Sequence, residues 1–527
     1  MRTVETVVLL VALATVVAAF AGRLRVPAPG LLVLAGLAAG LLPGAPVVHV
    51  APQVISLVVL PPLLYAASEE LAWRDLRAVW RPVAVLAVGL VLASAAAVAV
   101  VTAVLAPVPV SMAFVLGAVL ASTDPVAVGA LARRLALPAR VQALVQAESL
   151  FNDGTSLVLF QIAVSIAVGG AAAASLPGMV LHGAGEFFVL AGGGVLAGSV
   201  VAAGAVVVRR RVTDPVLETV AALITPYAAY LLGETVHVSA VTAVIVAGLV
   251  IGTKRSAITT ARTRLQVHSV YQVVIFVLEA VVFSLIGLQL PALVRAQAHP
   301  GQWIWAALAV AATLVVVRVA WVFPLHAAVQ WRRGTRRPAW AVPAVVCWAG
   351  TRGVVPLAAA LSIPLATARG TPLPQRDLVL VLAAVVIAVT LVVQGLTLEP
   401  LARAAGIGEP GAAGPGHEET LARLRLAEAG LARLDELAEA RAAPDDTIDR
   451  LRAGLQARIG TARARGGDGP VPPPSALTER DVRSDLLAAE NAELTRLYDE
   501  GAISAATRRQ FQRALDLEAA RLSDGQR

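Results

Sequence analysis

The chain has 527 residues, 57% of them hydrophobic and 15% charged, and its mean hydropathy is +0.76. A soluble enzyme of three or four domains, the usual content of that length, does not carry so much apolar surface. The net charge of +8 and the pI near 10.5 do not indicate nucleic-acid binding either, because the basic residues form short clusters between apolar runs instead of a solvated stripe.

Charge divides the sequence into two pieces. Before Glu409 stand 26 Lys and Arg against 14 acids, and from Glu409 onward 17 against 21. The division predicts a membrane domain over 1–408 and a helical, cytosolic tail over 409–527 that is packed, dimeric or regulatory. The single cysteine, Cys347, excludes an intrachain disulfide or a multi-thiolate metal site and reads as apolar filler.

Hydrocarbon about 30 Å thick requires about 20 apolar residues per spanning helix. In chain order the apolar stretches are 3–22, 30–43, 51–67, 82–106, 110–132, 141–169, 185–208, 215–233, 238–252, 266–291, 302–330, 340–366 and 377–402. The first resembles a signal peptide in length, but Arg2 is its only basic residue and twelve similar stretches follow, so it reads as a span. These stretches predict an all-α polytopic membrane protein of about thirteen spans. Alternate loops carry nineteen Lys and Arg on one side and only Arg295, Arg369 and Arg376 on the other. Basic loops stay in the cytoplasm, which places the N-terminus outside and the tail inside, in a plasma membrane. In the tail, GEPGAAGPG precedes an amphipathic helix with Leu421, Leu424, Leu431, Leu434 and Leu437 on its period, and GGDGPVPPPS precedes two more helical stretches.

A charge at mid-span faces water or a partner, because burial in lipid is costly. Such charges are Asp124, Glu148, Asp153, Glu186, Glu279, Arg318 and Arg352. In the fifth stretch Pro125 disfavours helix at Asp124, so the helix breaks near Thr123 and exposes carbonyls at membrane depth. The sixth stretch places Ser149 and Asp153 on one helix face and Glu148 and Asn152 on the next, for two different partners. In the twelfth, Gly350, Gly353 and Pro356 loosen the helix around Arg352, whose permanent charge needs an anion. Charge balance makes Glu148 that anion. Glu186, Glu279 and Arg318 line a cavity or pair within the bundle, and His182, His237 and His326 are interfacial.

STDPVAV at 122–128 and ESLFNDG at 148–154, with LPPLLY at 60–65, FSLIGLQL at 283–290 and GTRGVVP at 350–356, resemble the sodium/proton exchanger family. This is the electroneutral branch of the monovalent cation:proton antiporters, and the resemblance covers 3–402. It implies homodimers of thirteen-span protomers with inverted repeats, two crossed interrupted helices and alternating access. It implies that Asp153 carries cation and proton, that Asn152 is the amide beside it, and that Ser149 and Thr123 are cation ligands. Asp124 becomes the acid of the broken helix, and Glu148 with Arg352 the structural ion pair. The ions implied are Na+, or K+ or Li+, and H+, with no cofactor. One departure is Ala66, where many relatives carry an acid after the aromatic; Glu69 or Glu70 would replace it only from nearer the inside end.

Burial favours the neutral form of a carboxylate, so Asp153 can hold a proton or a partly dehydrated cation, never both. An empty ionised carrier that crosses poorly then enforces exchange. Asn152 in place of a second acid, and Glu148 assigned to an arginine, predict one cation for one proton. Two membrane aspartates also suit an intramembrane aspartyl protease, but the sequence has no G-x-G-D motif. A channel would require a carbonyl-rich filter loop, and a non-transporting ion sensor would use the tail as its output.

Overall fold

Long runs of Ala, Leu and Val can satisfy their backbone without water only by closing each N–H onto the carbonyl four residues earlier. The computed structural model of the chain follows that rule. It describes residues 2–405 except 25–27, 43–50, 72, 125–138, 170–175, 213, 260, 298–300 and 333–339, and then 445–465 with parts of 424–439. The chain divides into two compact units, Met1–Pro415 and Gly416–Arg527.

The first unit is built from α1 (Arg2–Leu24), α2 (Ala28–Leu41), α3 (Pro52–Glu70), α4 (Trp73–Ala84), a π-helical stretch (Val85–Leu90) and α5 (Val91–Leu105). Then come α6 (Val110–Leu120), α7 (Ala139–Gly169), α8 (Leu176–Arg211), α9 (Pro215–Thr235) and α10 (Ala240–Ile258). The unit closes with α11 (Ala261–Arg295), α12 (Gln302–Arg332), α13 (Ala341–Trp348), α14 (Val354–Leu361) and α15 (Arg376–Ala404). Among the described residues there is no strand, only a single bridge between Ala366 and Pro372. Every apolar stretch of the sequence carries helix. By length and apolarity, seven described helices suffice to cross a membrane and four shorter ones are apolar.

One segment differs from its expected outline. Arg74, Arg77 and Arg81, expected in a loop, lie on α4, because Leu76, Val79 and Val83 repeat at helical spacing and are buried. Pro82 withholds one backbone N–H, and the π-helical residues follow directly. The fifth stretch leaves the helical path after Leu120, and the twelfth is split into α13 and α14, the two places where the sequence interrupts its helices.

Helices approach closely where side chains vanish. A Cβ on Gly36 of α2 would overlap the Ser284 carbonyl of α11, and one on Gly287 of α11 would overlap the Val33 carbonyl of α2. Backbone therefore rests on backbone along this pair, as small residues permit in membrane bundles.

In the second unit, α16 (Asp445–Arg465) was not marked by apolar periodicity, since it is mostly polar. Asp445 and Asp446 begin it where acids complement a helix N-terminus. It runs antiparallel to the helical residues 428–435. Arg452 contacts Asp435 at 2.8 Å and Arg463 contacts Glu428 at 3.7 Å, while Leu434 and Ile448 are buried and Leu455 packs near Gly430. The stretches expected after the GGDGPVPPPS breaker lie outside the described residues.

Candidate functional site

The site begins where two helices stop. After Leu120, residues 122–124 leave the helical path, and Thr351 and Arg352 do the same between α13 and α14. Their backbones meet: the Asp124 N–H donates to the Thr351 carbonyl at 2.8 Å, and the Thr351 hydroxyl donates to the Asp124 carbonyl at 3.4 Å. Each break thus satisfies groups that the other leaves open, which is how irregular backbone survives at membrane depth. Gly353 makes the crossing possible, since a Cβ there would fall on the Asp124 carboxyl group. Pro125 lies outside the described residues.

Helix α7 is stitched to the end of α6 by three side chains. The Ser149 hydroxyl donates to the Thr123 carbonyl, the Asn152 amide donates to the Thr123 hydroxyl at 3.2 Å, and the Ser156 hydroxyl donates to the Ala118 carbonyl at 2.6 Å. The sequence paired Ser149 with Asp153 and Asn152 with Glu148. The structure regroups them, because Ser149 and Asn152 stand three apart and also share a face: both reach Thr123, Glu148 turns to α12, and Asp153 turns to a cavity.

The expected Glu148–Arg352 pair is not formed. Arg318 of α12 holds Glu148 instead through two parallel hydrogen bonds, Nη1 to Oε1 at 2.8 Å and Nη2 to Oε2 at 2.9 Å, with Nε donating to the Val346 carbonyl at 3.3 Å. Glu148 is 1% exposed and Arg318 4%. The physical reason is local. Arg318 lies inside a continuous helix, from which its guanidinium faces the Glu148 carboxylate squarely enough for both Nη atoms to engage it. Arg352, 3% exposed, lies at a break, where its Nε donates to the Leu120 carbonyl at 3.0 Å and its Nη1 to the Gly350 carbonyl. These belong to the carbonyl ends of α6 and α13, where the helix dipole is negative.

Asp153 is 7% exposed, and its Oδ1 has no hydrogen-bond partner among the described residues, nor has the Oδ1 of Asn152. Asp153 lines a cavity of 260 Å³ together with Thr123, Asp124, Glu70 and Glu279, between apolar walls that include Leu63, Leu64 and Pro356. That volume holds several waters or a partly hydrated ion. Glu70 and Gln146, also in its lining, are exposed and mark its mouth. Glu279, left undecided by the sequence between cavity lining and internal pairing, is in the lining, while Glu186 is not. No group of three or more His, Cys, Asp or Glu suited to a bound metal occurs among the described residues; Thr123, Asp124 and Asp153 face the cavity, whereas Ser149 is outside its lining and turned to the Thr123 carbonyl.

The family described as sodium/hydrogen exchanger, transmembrane, matches residues 8–404. The chain belongs to that family. As a member of it, the protein is a membrane transporter and not an enzyme. It is 35% identical over 532 aligned residues to an uncharacterized Na(+)/H(+) exchanger of Mycobacterium tuberculosis, covering 98% of this chain and 96% of that one. It is 30% identical to the Na(+)/H(+) antiporter ApNhaP of Aphanothece halophytica, over 78% of this chain and 76% of the relative. The fold is similar to that of the sodium proton antiporter MjNhaP1 from Methanocaldococcus jannaschii, with a TM-score of 0.61 at 19% identity, over 78% of this chain and 99% of the other.

Proposed function

We propose that the protein exchanges a monovalent cation, Na+ in the first place, for H+ by alternating access around Asp153. The observation that carries this reading is a single carboxylate, buried and with an open oxygen, at the inner end of a cavity that a broken helix also lines. A proton or a cation on Asp153 gives a neutral complex that can cross. The bare carboxylate does not, because an uncompensated charge in the bundle is costly. Thr123, in the same lining, offers the cation oxygen beside Asp153, and Ser149, read as a further ligand, holds Thr123 in place together with Asn152.

Loop charges assign the mouth at Glu70 and Gln146 to the cytoplasmic side, since both lie next to arginine-rich segments. The cavity is then the inward-facing one, and the tail is cytoplasmic. The Glu148–Arg318 pair is neutral within itself, and with Asp153 as the group that changes occupant the exchange is one-for-one and electroneutral. The homodimer, the thirteen spans with inverted repeats and a role in pH and sodium homeostasis come with the family resemblance.

The test is reconstitution in liposomes with a trapped pH indicator. Adding Na+, Li+ or K+ outside should alkalinise or acidify the lumen as the imposed gradients dictate, with Na+ the most effective, and Asp153→Asn should show no response. Equal proton movement with no added cation would sink the antiport reading.

A further inference from the structure

The cavity has more carboxylates than Asp153 alone requires. Glu279 lies well inside the 35-residue helix α11, it is half-buried, and no hydrogen bond or ion pair reaches its carboxylate among the described residues. An acid at that depth without a protein partner faces water or a cation. The helix that carries it is held to α2 two turns further on, backbone to backbone at Gly36 and Gly287. Along the lining, exposure falls from Glu70, exposed, through Glu279, half-buried, to Asp153, buried with an open oxygen. Apart from Thr123, Asp124 and Gln146 the remaining walls are apolar, and a cation shedding water against them would lose hydration without replacement.

We propose that Glu279 is a cation-binding residue of the transport site. Resting on the antiport reading above, it takes the partly dehydrated alkali cation from the mouth and shares it with Asp153, setting apparent cation affinity without carrying the proton.

The experiment compares Asp153→Asn, Glu279→Gln, Glu279→Asp and the double variant Ala66→Glu/Glu279→Gln in full-length protein. Ala66 of α3 lines the same cavity, so its replacement returns a carboxylate from another wall. Glu279→Gln should raise the half-saturating Na+ concentration about tenfold and keep the maximal rate within about twofold, the pattern of lost uniform binding. Glu279→Asp and the double variant should each return it to within about threefold of the parent. In detergent, Glu279→Gln should need about tenfold more Na+ for the same rise in melting temperature, since a ligand stabilises by its occupancy; this reads binding even in a variant that transports poorly. An unchanged half-saturation overturns the proposal, as does a collapse of maximal rate at saturating Na+ or a double variant no better than Glu279→Gln. If Asp153→Asn still exchanges, the antiport reading around Asp153 fails whatever Glu279 does; if only the Glu279 arms fail, that reading stands.

Discussion

Glu148 and Asp153 stand little more than one helical turn apart on α7 and are both almost fully buried, yet their surroundings are opposite. Both oxygens of Glu148 are held by Arg318, whereas an oxygen of Asp153 has no partner and its side chain lines a cavity. A carboxylate whose charge is answered by a bidentate arginine has little attraction left for a cation or a proton. One left open, and open to water, can take either. The difference teaches that in this helix burial alone does not mark the working acid; the unfilled hydrogen-bond capacity does.

The largest effect that would test this contrast is on Asp153. Asp153→Asn should remove cation-driven proton movement while the melting temperature in detergent holds or rises, because it neutralises a buried charge that nothing in the protein compensates. Retained exchange would erase the distinction between the two acids. The converse applies to the clamp: Arg318→Ala should destabilise the protein by about 3 to 5 kcal/mol, as removing one partner of a buried pair does. Arg318→Ala/Glu148→Gln should recover part of that loss, which a double-mutant cycle of denaturation midpoints would measure.

Arg352→Ala sharpens the comparison with Arg318. It strands two carbonyls and no carboxylate, so its cost should be smaller, about 1 to 3 kcal/mol; a loss as large as that of Arg318→Ala would mean that Arg352 is the true counter-ion of Glu148. Gly353→Ala should push the Asp124 carboxyl group out of its place and cost about 1 to 3 kcal/mol of stability, readable as a lower melting temperature with slowed exchange. The smallest expected effect is none at all. Moving one net charge is worth about 2.3 kcal/mol per 100 mV, and a potassium diffusion potential of either sign should leave the Na+/H+ exchange rate unchanged if Asp153 alone changes occupant.

The helices and the breaks were legible because apolar length and a proline or glycine at a charged position are local properties. Thr123, Asp124 and Arg352 could be assigned to interrupted segments from their own neighbours. Which arginine answers Glu148 was not legible by charge balance, since Arg318 and Arg352 carry the same charge at similar depth. One local difference was nonetheless present in the sequence: Arg352 lies between Gly350 and Gly353, whereas the residues next to Arg318 are Val317 and Val319. Glu279 stands in no distinctive motif, and its place in the cavity follows from how α11 packs, which no local pattern encodes. In the tail, α16 was hidden by its polarity, because it buries only a narrow line of residues.

The mutual bond between Asp124 and Thr351 has a further consequence for an ion-coupled membrane. Two interruptions in the middle of a bilayer would ordinarily recruit water to their stranded N–H and C=O groups, and a file of such waters conducts protons faster than any carrier turns over. Because each interruption answers backbone groups of the other, those groups need no water of their own, and the water of the adjoining cavity is left to the carboxylates that line it.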